Sequence, residues 1–480
     1  MEKLTGRIAE QQILAGKMAS GTAELIAIYG RRRVGKTFLI LTYCKDALVF
    51  ELTGIYNAGF RDQLENFSRS LQKAQKNNAD ISVPRNWLAA FDLLDRYIDS
   101  LPPAKAAVIF FDEFPWLHSQ KSRFLQAFDH WWNVSASLRP HIKVVICGSA
   151  ASWMIDQVIN DMGGLHNRVT QRIRLEPFTL GETEEYLNSR SCKLDHYQIL
   201  QLYMAMGGIP QYLKSINPGE SAAQVIDRLC FTRDGLLKSE FNDLYRSLFT
   251  HSENHEAVVR ALSKNGKGLT RNEIIKLCKF TSGGTTSKIL KELTESGFIT
   301  PYIPFQKTVN DSIYKLSDEY SLFYIKFIEG AKASGAGTWL RQFGTSPYTS
   351  WSRFAFESIC QKHSQQIKKA LGIEGVLTEV STWRYHPLKG GNRKGAQIDL
   401  LLDRADRSIN LCEMKFSTSG FVINKKYAGE LDNKENIFRM ETKTRKTLFL
   451  TLITTYGIFK NEYSLGRVQA EVVMEDLFST

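Results

Sequence analysis

The chain alternates between short unbroken apolar runs and stretches in which apolar residues recur every three to four positions. Residues 24–29 read ELIAIY, 106–111 read AAVIFF and 142–147 read IKVVIC. Runs this short and uniform suit strands buried on both faces, as in a parallel sheet covered by helices. The first run leads into GRRRVGKT and then FLILTYCK, which continues as a helix. From His255 the pattern changes. HEAVVRALSKNG predicts an amphipathic helix ending at Gly266, LTRNEIIKLC a second with Thr270 as N-cap, and TTSKILKELTESG a third closed by Gly297. FITPYIPFQKTVNDSIYKLS then reads as two strands around a polar wing. Three short helices and a hairpin predict a winged helix-turn-helix. Further on, QIDLLLD, the turn ADRS and SINLCEMKF predict another hairpin.

The segment between the first strand and its helix fits G-x-x-x-x-G-K-[ST], with Gly30, Gly35, Lys36 and Thr37 at the fixed positions. Such a loop, here Gly30, Arg31, Arg32, Arg33, Val34, Gly35, Lys36, Thr37 and Phe38, curls its N–H groups around phosphate oxygens. The helix N-terminus adds partial positive charge. Lys36 is placed for the β/γ-phosphates of ATP and Thr37 for Mg²⁺. The second run ends in Asp112 and Glu113, a carboxylate for Mg²⁺ and another to polarise the attacking water. The third run ends in Gly148-Ser149. Ser149 either senses the γ-phosphate or simply turns the chain. Arg168 follows in LHNRVTQRIRLEPF, either as a finger on a neighbouring subunit's ATP or as a surface arginine.

In the later hairpin, an apex near Asp406 sets Asp399 opposite Glu413. Side chains alternate along a strand, so Glu413 and Lys415 share a face with Asp399. Leu400, Leu402, Cys412 and Met414 take the other face and are expected to pack inward. Two facing carboxylates repel. A divalent cation between them, Mg²⁺ or Mn²⁺ by its oxygen ligands, removes the conflict. Lys415 would then activate water or stabilise charge on phosphate. A pair of salt-bridged surface strands is the alternative.

Composition changes this picture in two ways. A formal net charge of +12 over 480 residues favours an acidic partner, nucleic acid above all, although a basic surface also serves solubility. The exposed positions of the third helix in the winged segment, Thr285, Ser287, Lys288 and Lys291, would suit a major groove, unless the segment only connects domains. The seven cysteines are scattered and form no CxxC pair, which points to buried thiols in a cytoplasmic protein. There is no signal-peptide pattern and no run of the roughly 18 apolar residues that a membrane span requires.

The order GR (Gly6, Arg7), YGRRRVGKT, FFDEF, CGSAASWM, LHNR and GGIPQYL resembles the archaeal-type ATPases of the AAA+/STAND group, over most of residues 1–240. YKLSDEYSLFYIKFIE resembles the same family at the join to its C-terminal domain. The resemblance implies a five-stranded parallel sheet flanked by helices and a helical lid through Gly207, Gly208 and Pro210. It matches Ser149 to the sensor and Arg168 to the arginine of the L-x-x-R element, where His166-Asn167 replaces the usual tyrosine-glycine. D…E-x-K in the C-terminal hairpin resembles the PD-(D/E)xK, or restriction-endonuclease-like, superfamily, without the usual proline before Asp399. That likeness implies that Glu357, in the helix RFAFESICQKH, completes the metal site.

The expected fold is thus α/β: a P-loop core over 1–180, a lid over 181–250, a winged helix-turn-helix over 251–335 and a nuclease-like α/β domain over 336–480. The expected function is an ATPase controlling a metal-dependent nuclease that acts on nucleic acid, DNA first. The chain would work as a homo-oligomer, away from membranes. An ATP-switched DNA-binding regulator with an inactive nuclease fold is the alternative.

Overall fold

The computed structural model describes residues 4–76, 81–102, 106–119, 121–149, 151–159, 167–249, 251–281, 284–331, 335, 337–387 and 395–479. They form two compact units, Met1–Pro177 and Phe178–Thr480.

The first unit is built on β1 (Glu24–Tyr29), β2 (Leu48–Thr53), β3 (Ala107–Asp112), β4 (Ile142–Gly148) and β5 (Gln171–Arg174). All pair in parallel, in the order β2-β3-β4-β1-β5. β3 and β4 are buried along their whole length, which is why their sequences carry no polar alternation. On one side lie the helices Phe60–Gln75, Trp87–Asp99 and Phe124–Val134, which bring Phe67, Trp87, Phe91, Phe124, Phe128 and Trp131 against Phe111 of β3. Phe91 and Trp131 stack with centroids 5.0 Å apart. This aromatic wall fixes the end of β3, and with it Asp112, the strand's last residue, and Glu113 just after it. Because the strands are parallel, the segments leaving β1, β3 and β4 emerge at one edge. That is where ligands bind in open α/β sheets.

The second unit opens with helices Leu180–Ser189 and His196–Met206, capped by Thr179 and Asp195. Gly208 comes so close to the Phe178 carbonyl that a Cβ would stand 2.0 Å from its oxygen, so the GGIP turn admits no side chain there. Helices Ser252–Ser263, Arg271–Cys278 and Gly284–Glu295 follow, with a small sheet of β6 (Leu269–Thr270), β8 (Ile313–Leu316) and β7 (Ile299–Tyr302). Thr270 caps its helix in a reciprocal box with Glu273, as its position before the apolar run predicts.

The C-terminal sheet runs β15-β13-β11-β10-β9, from β9 (Thr378–Tyr385), β10 (Ala396–Arg404), β11 (Ser408–Lys415), β13 (Thr447–Thr454) and β15 (Ala470–Val473). A pair of two-residue strands, β12 (Phe421–Val422) and β14 (Ile458–Phe459), lies outside it. The β10–β11 register is the one the hairpin predicts, with Leu400 opposite Cys412 and Leu402 opposite Asn410. Leu400, Leu402, Cys412 and Met414 are buried as expected. The opposite face is closed too: Leu401, Ile409 and Leu411 pack against Ile437 and Phe438 of the helix Lys425–Thr442. The segment after β7 joins this sheet, since Pro304 bridges Thr382 and the Phe305 N–H donates to the Thr382 carbonyl at 2.8 Å.

Buried His363 ties the unit together. Its Nε2 accepts from the Leu180 N–H at 3.0 Å and its Nδ1 bonds the Ile359 carbonyl at 2.8 Å. All seven cysteines are free and six are buried. Among the described residues no helix is long and apolar enough to cross a membrane.

Candidate functional site

Gly30 (φ 140°) and Gly35 (φ 91°) supply the backbone conformations that turn the chain back on itself after β1. At Gly30 a Cβ would lie 2.4 Å from the Leu175 carbonyl oxygen. Arg33 (φ 72°) takes the left-handed region between them. Gly35 is the N-cap of the helix Lys36–Tyr43, so the helix N-terminus faces the loop. Buried Lys36 donates to the carbonyls of Gly30 (3.1 Å) and Arg31 (2.9 Å). Neutral carbonyls leave its charge uncompensated within the loop. Arg31 and Val34 are buried, Arg32 and Arg33 half-buried, and Phe38 exposed.

The Thr37 hydroxyl donates to Asp112 Oδ2 at 2.7 Å, and the Glu113 N–H donates to Asp112 Oδ1 at 2.9 Å. Glu113 stands at φ 44°, a strained conformation for a residue with a side chain. Its carboxylate accepts from the Ser149 hydroxyl at 2.8 Å. Ser149, expected to sense phosphate or to turn the chain, thus holds the expected water-polarising group. Gly30 to Phe38, Asp112, Glu113 and Ser149 therefore lie at one edge of the sheet.

Arg168 does not join them. It is exposed in the turn before β5, after Asn167 (φ 61°), while Leu165 and His166 lie outside the described residues. The next residue but one, Thr170, pairs with Leu25 at the start of β1. The phosphate loop leaves the other end of β1, about 15 Å away at roughly 3.3 Å per strand residue.

Arg7 belongs to the loop's support and received no role from sequence reasoning. It is buried, takes a left-handed conformation (φ 59°) and donates to the Val34 carbonyl at 3.2 Å. The signal was present as the Gly-Arg pair near the start of the ATPase-like pattern.

A second site lies in the other unit. Glu357 comes from the helix Ser346–Lys362, Asp399 from β10, and Glu413 and Lys415 from β11. Burial, then the charge of Asp399, pushes the Glu357 carboxyl up to about 8, with Lys315 and Lys415 opposing and Glu413 adding. Of the four residues named from sequence, Glu357 and Asp399 line one cavity, and Lys415 lies 3.6 Å from Glu413.

Asp399 Oδ1 accepts from Gln397 at 2.5 Å, and its backbone carbonyl accepts from Gln361 at 2.7 Å. Glu413 is buried. It is bound by Lys434 at Oε1 and, at Oε2, by the Tyr427 hydroxyl (3.2 Å) and Lys415 (3.6 Å). Beside Asp399 opens a cavity of about 620 Å³, lined among others by Glu357, Gln397 and Lys434. Glu413 is not among the residues that line it. Among the described residues no group of three or more His, Cys, Asp or Glu side chains is arranged to hold a metal ion.

Sequence reasoning missed Tyr427, Lys434, Lys315 and the roles of Gln397 and Gln361. Tyr427, Leu431, Lys434 and Phe438 recur at helical spacing on one face of Lys425–Thr442. A lysine within that largely apolar stripe was the available signal.

Residues 4–216 match a family described as an ATPase domain found predominantly in Archaea. An uncharacterised protein, MJECL04 of Methanocaldococcus jannaschii, is 24% identical over 414 residues, 85% of this chain and 87% of its own length. The Walker-type ATPase PABY2304 of Pyrococcus abyssi aligns over 68% of this chain and 96% of its own, at 16% identity and a TM-score of 0.49. The ORC2 protein of Aeropyrum pernix aligns over 67% and 93%, at 15% identity and a TM-score of 0.40. The segment that holds the phosphate loop is thus the part of the chain that matches an archaeal-type ATPase domain.

Proposed function

We propose that this protein is an ATPase that governs a metal-dependent phosphodiesterase site acting on nucleic acid, with DNA as its first substrate. In the ATPase domain, Lys36 contributes the charge that meets the β/γ-phosphates. Thr37 and Asp112, already in contact with each other, would hold Mg²⁺, which screens phosphate charge when bound. Glu113 polarises the attacking water, and Ser149 keeps its carboxylate aimed. Arg168 stands too far from its own loop to serve it. A finger role therefore requires a second copy of the chain, and we infer a homo-oligomer whose subunits share ATP sites.

The observation that carries the phosphodiesterase reading is that Glu357 and Asp399, from a helix and a strand, line one cavity, while Lys415 lies 3.6 Å from Glu413 on the neighbouring strand. Mutually repelling, partly buried carboxylates fit a cation. Asp399 and Glu413 would hold Mg²⁺ or Mn²⁺, which supplies Lewis acidity when bound, with Glu357 beside Asp399 at the cavity and not a third ligand. Lys415 orients water and offsets charge on the phosphate. A second reading, an ATP-switched DNA-binding scaffold, is favoured by one feature: Lys434 occupies Glu413 Oε1. Incubating the full chain with DNA and RNA, single- and double-stranded, with ATP and Mg²⁺ or Mn²⁺ varied independently, separates them. Metal-dependent cleavage lost in Asp399→Ala supports the first. ATP-sensitive binding without cleavage supports the second.

A further inference from the structure

The 620 Å³ cavity has two walls from different parts of the chain. One is the C-terminal sheet with its helices, through Arg353, Glu357, Arg384 and Asp399. The other is the segment of three helices and a hairpin, through Gly266 and Lys267. Below lies a smaller cavity shared by Lys315 of β8 and Glu357. Lys315 is buried, its ammonium lies in the field of Asp399 and Glu357, and it sits over the Tyr302 ring at 5.3 Å.

Three further contacts fix the walls to one another. Gly266 lies so near Phe354 that a Cβ there would stand 2.5 Å from the ring. On the far side the segment after β7 pairs with β9 at Thr382, and Phe305 packs on Phe438 with centroids 5.5 Å apart. The hairpin is thus built into the sheet.

We propose that these two walls form one nucleic-acid cleft, in which Lys267, Arg353 and Arg384 grip successive phosphates and the hairpin contributes Lys315 to the floor as a positioning residue beside Glu357 and Asp399. This rests on the phosphodiesterase reading of the same site. The charge pattern favours a repeating anion. Lys267, Arg353 and Arg384 stand on a loop, a helix and a strand around the opening, and none of them makes an ion pair with a described residue. A single small anion would be met by cations converging on one point. The expected groove-reading residues Lys288 and Lys291 lie on another helix and do not line this cavity.

The test is fluorescence anisotropy of the full chain with labelled 20-nucleotide DNA and RNA, single-stranded and duplex, in EDTA over a salt series. The variant Lys267→Ala/Arg353→Ala/Arg384→Ala should bind at least tenfold more weakly. Its slope of log affinity against log salt should be shallower by about 2 on single strands, at roughly 0.7 per phosphate contact. Lys288→Ala/Lys291→Ala should stay within twofold of wild type. Lys315→Met, which keeps the volume, should lose at least fivefold, whereas Lys315→Arg should stay within twofold. Unchanged binding in the triple variant, a larger loss in the Lys288/Lys291 variant, or no binding by the wild type overturns the cleft. Equal binding by Lys315→Met and Lys315→Arg overturns the role of Lys315. Strong cleft-dependent binding with no cleavage in Mg²⁺ or Mn²⁺ overturns the phosphodiesterase reading and leaves the cleft standing.

Discussion

At the phosphate loop, the working groups come from strand ends and the residues just after them, and their partners are mostly neutral. Lys36 faces carbonyls, Thr37 faces Asp112, and Ser149 faces Glu113. In the C-terminal cluster, the working groups come from a helix, two strands and a hairpin, and charges face charges. Glu413 alone meets two lysines. The first arrangement leaves a cationic loop ready for a polyanion at little cost in burial. The second encloses carboxylates whose repulsion only cations relieve, whether lysines or a metal. A single change should therefore silence the first site without unfolding it, whereas changes at the second should also move stability.

The largest effect is expected at Lys36. Lys36→Ala should abolish ATP turnover and weaken triphosphate binding, while Glu113→Gln should bind ATP normally and turn over at least about 100-fold more slowly. Steady-state hydrolysis and nucleotide titration, with unchanged melting temperature, check both. Wild-type turnover by Glu113→Gln would remove its assigned role.

Asp399→Ala should eliminate metal-dependent cleavage and leave ATP turnover within twofold, measured on one preparation. Cleavage should need Mg²⁺ or Mn²⁺ and fail in Ca²⁺, whose oxygen coordination is looser.

Arg168→Ala should lower turnover on the order of a hundredfold with ATP affinity retained. Mixing it with Lys36→Ala should restore part of the activity, each copy providing what the other lacks. Co-assembled mixtures that recover nothing would place Arg168 outside the ATP site.

Lys434→Ala should destabilise the second unit by about 2 to 3 kcal/mol, because it strips a partner from a buried carboxylate. Glu413→Gln combined with Lys434→Met should recover much of that loss in thermal denaturation. No comparable stability loss is expected from Lys36→Ala, which contrasts the two sites directly.

The smallest effect concerns His363. Enclosure pushes its imidazole down to about 4 from the ordinary 6.5. Between these values the unfolded chain binds a proton that the folded chain refuses. The His363 contribution is therefore complete above about pH 6.5 and is lost as pH falls toward 4. His363→Gln, which keeps an acceptor for the Leu180 N–H, should show a shallower fall of melting temperature from pH 7 to 4.5.

What the chain itself determined was whatever is encoded contiguously. ELIAIY, AAVIFF and IKVVIC became β1, β3 and β4 almost residue for residue, since a strand buried on both faces needs unbroken apolar character. The phosphate loop was legible because backbone geometry and a following helix suffice to make it. The register of β10 and β11 was legible because a tight hairpin turn fixes it. β2 and β5 were not singled out. β5 reads QRIR, an edge strand with no apolar run to announce it. Only tertiary structure decided that Arg7 braces the loop, that Arg168 lies near the opposite end of β1 from it, and that Lys434 and Lys315 stand near Glu413, Glu357 and Asp399. Those pairings span from 21 residues, for Lys434 and Glu413, to 84, for Lys315 and Asp399. Neither periodicity nor spacing records which distant cation will stand beside a buried carboxylate; the packing of helix, sheet and hairpin sets it.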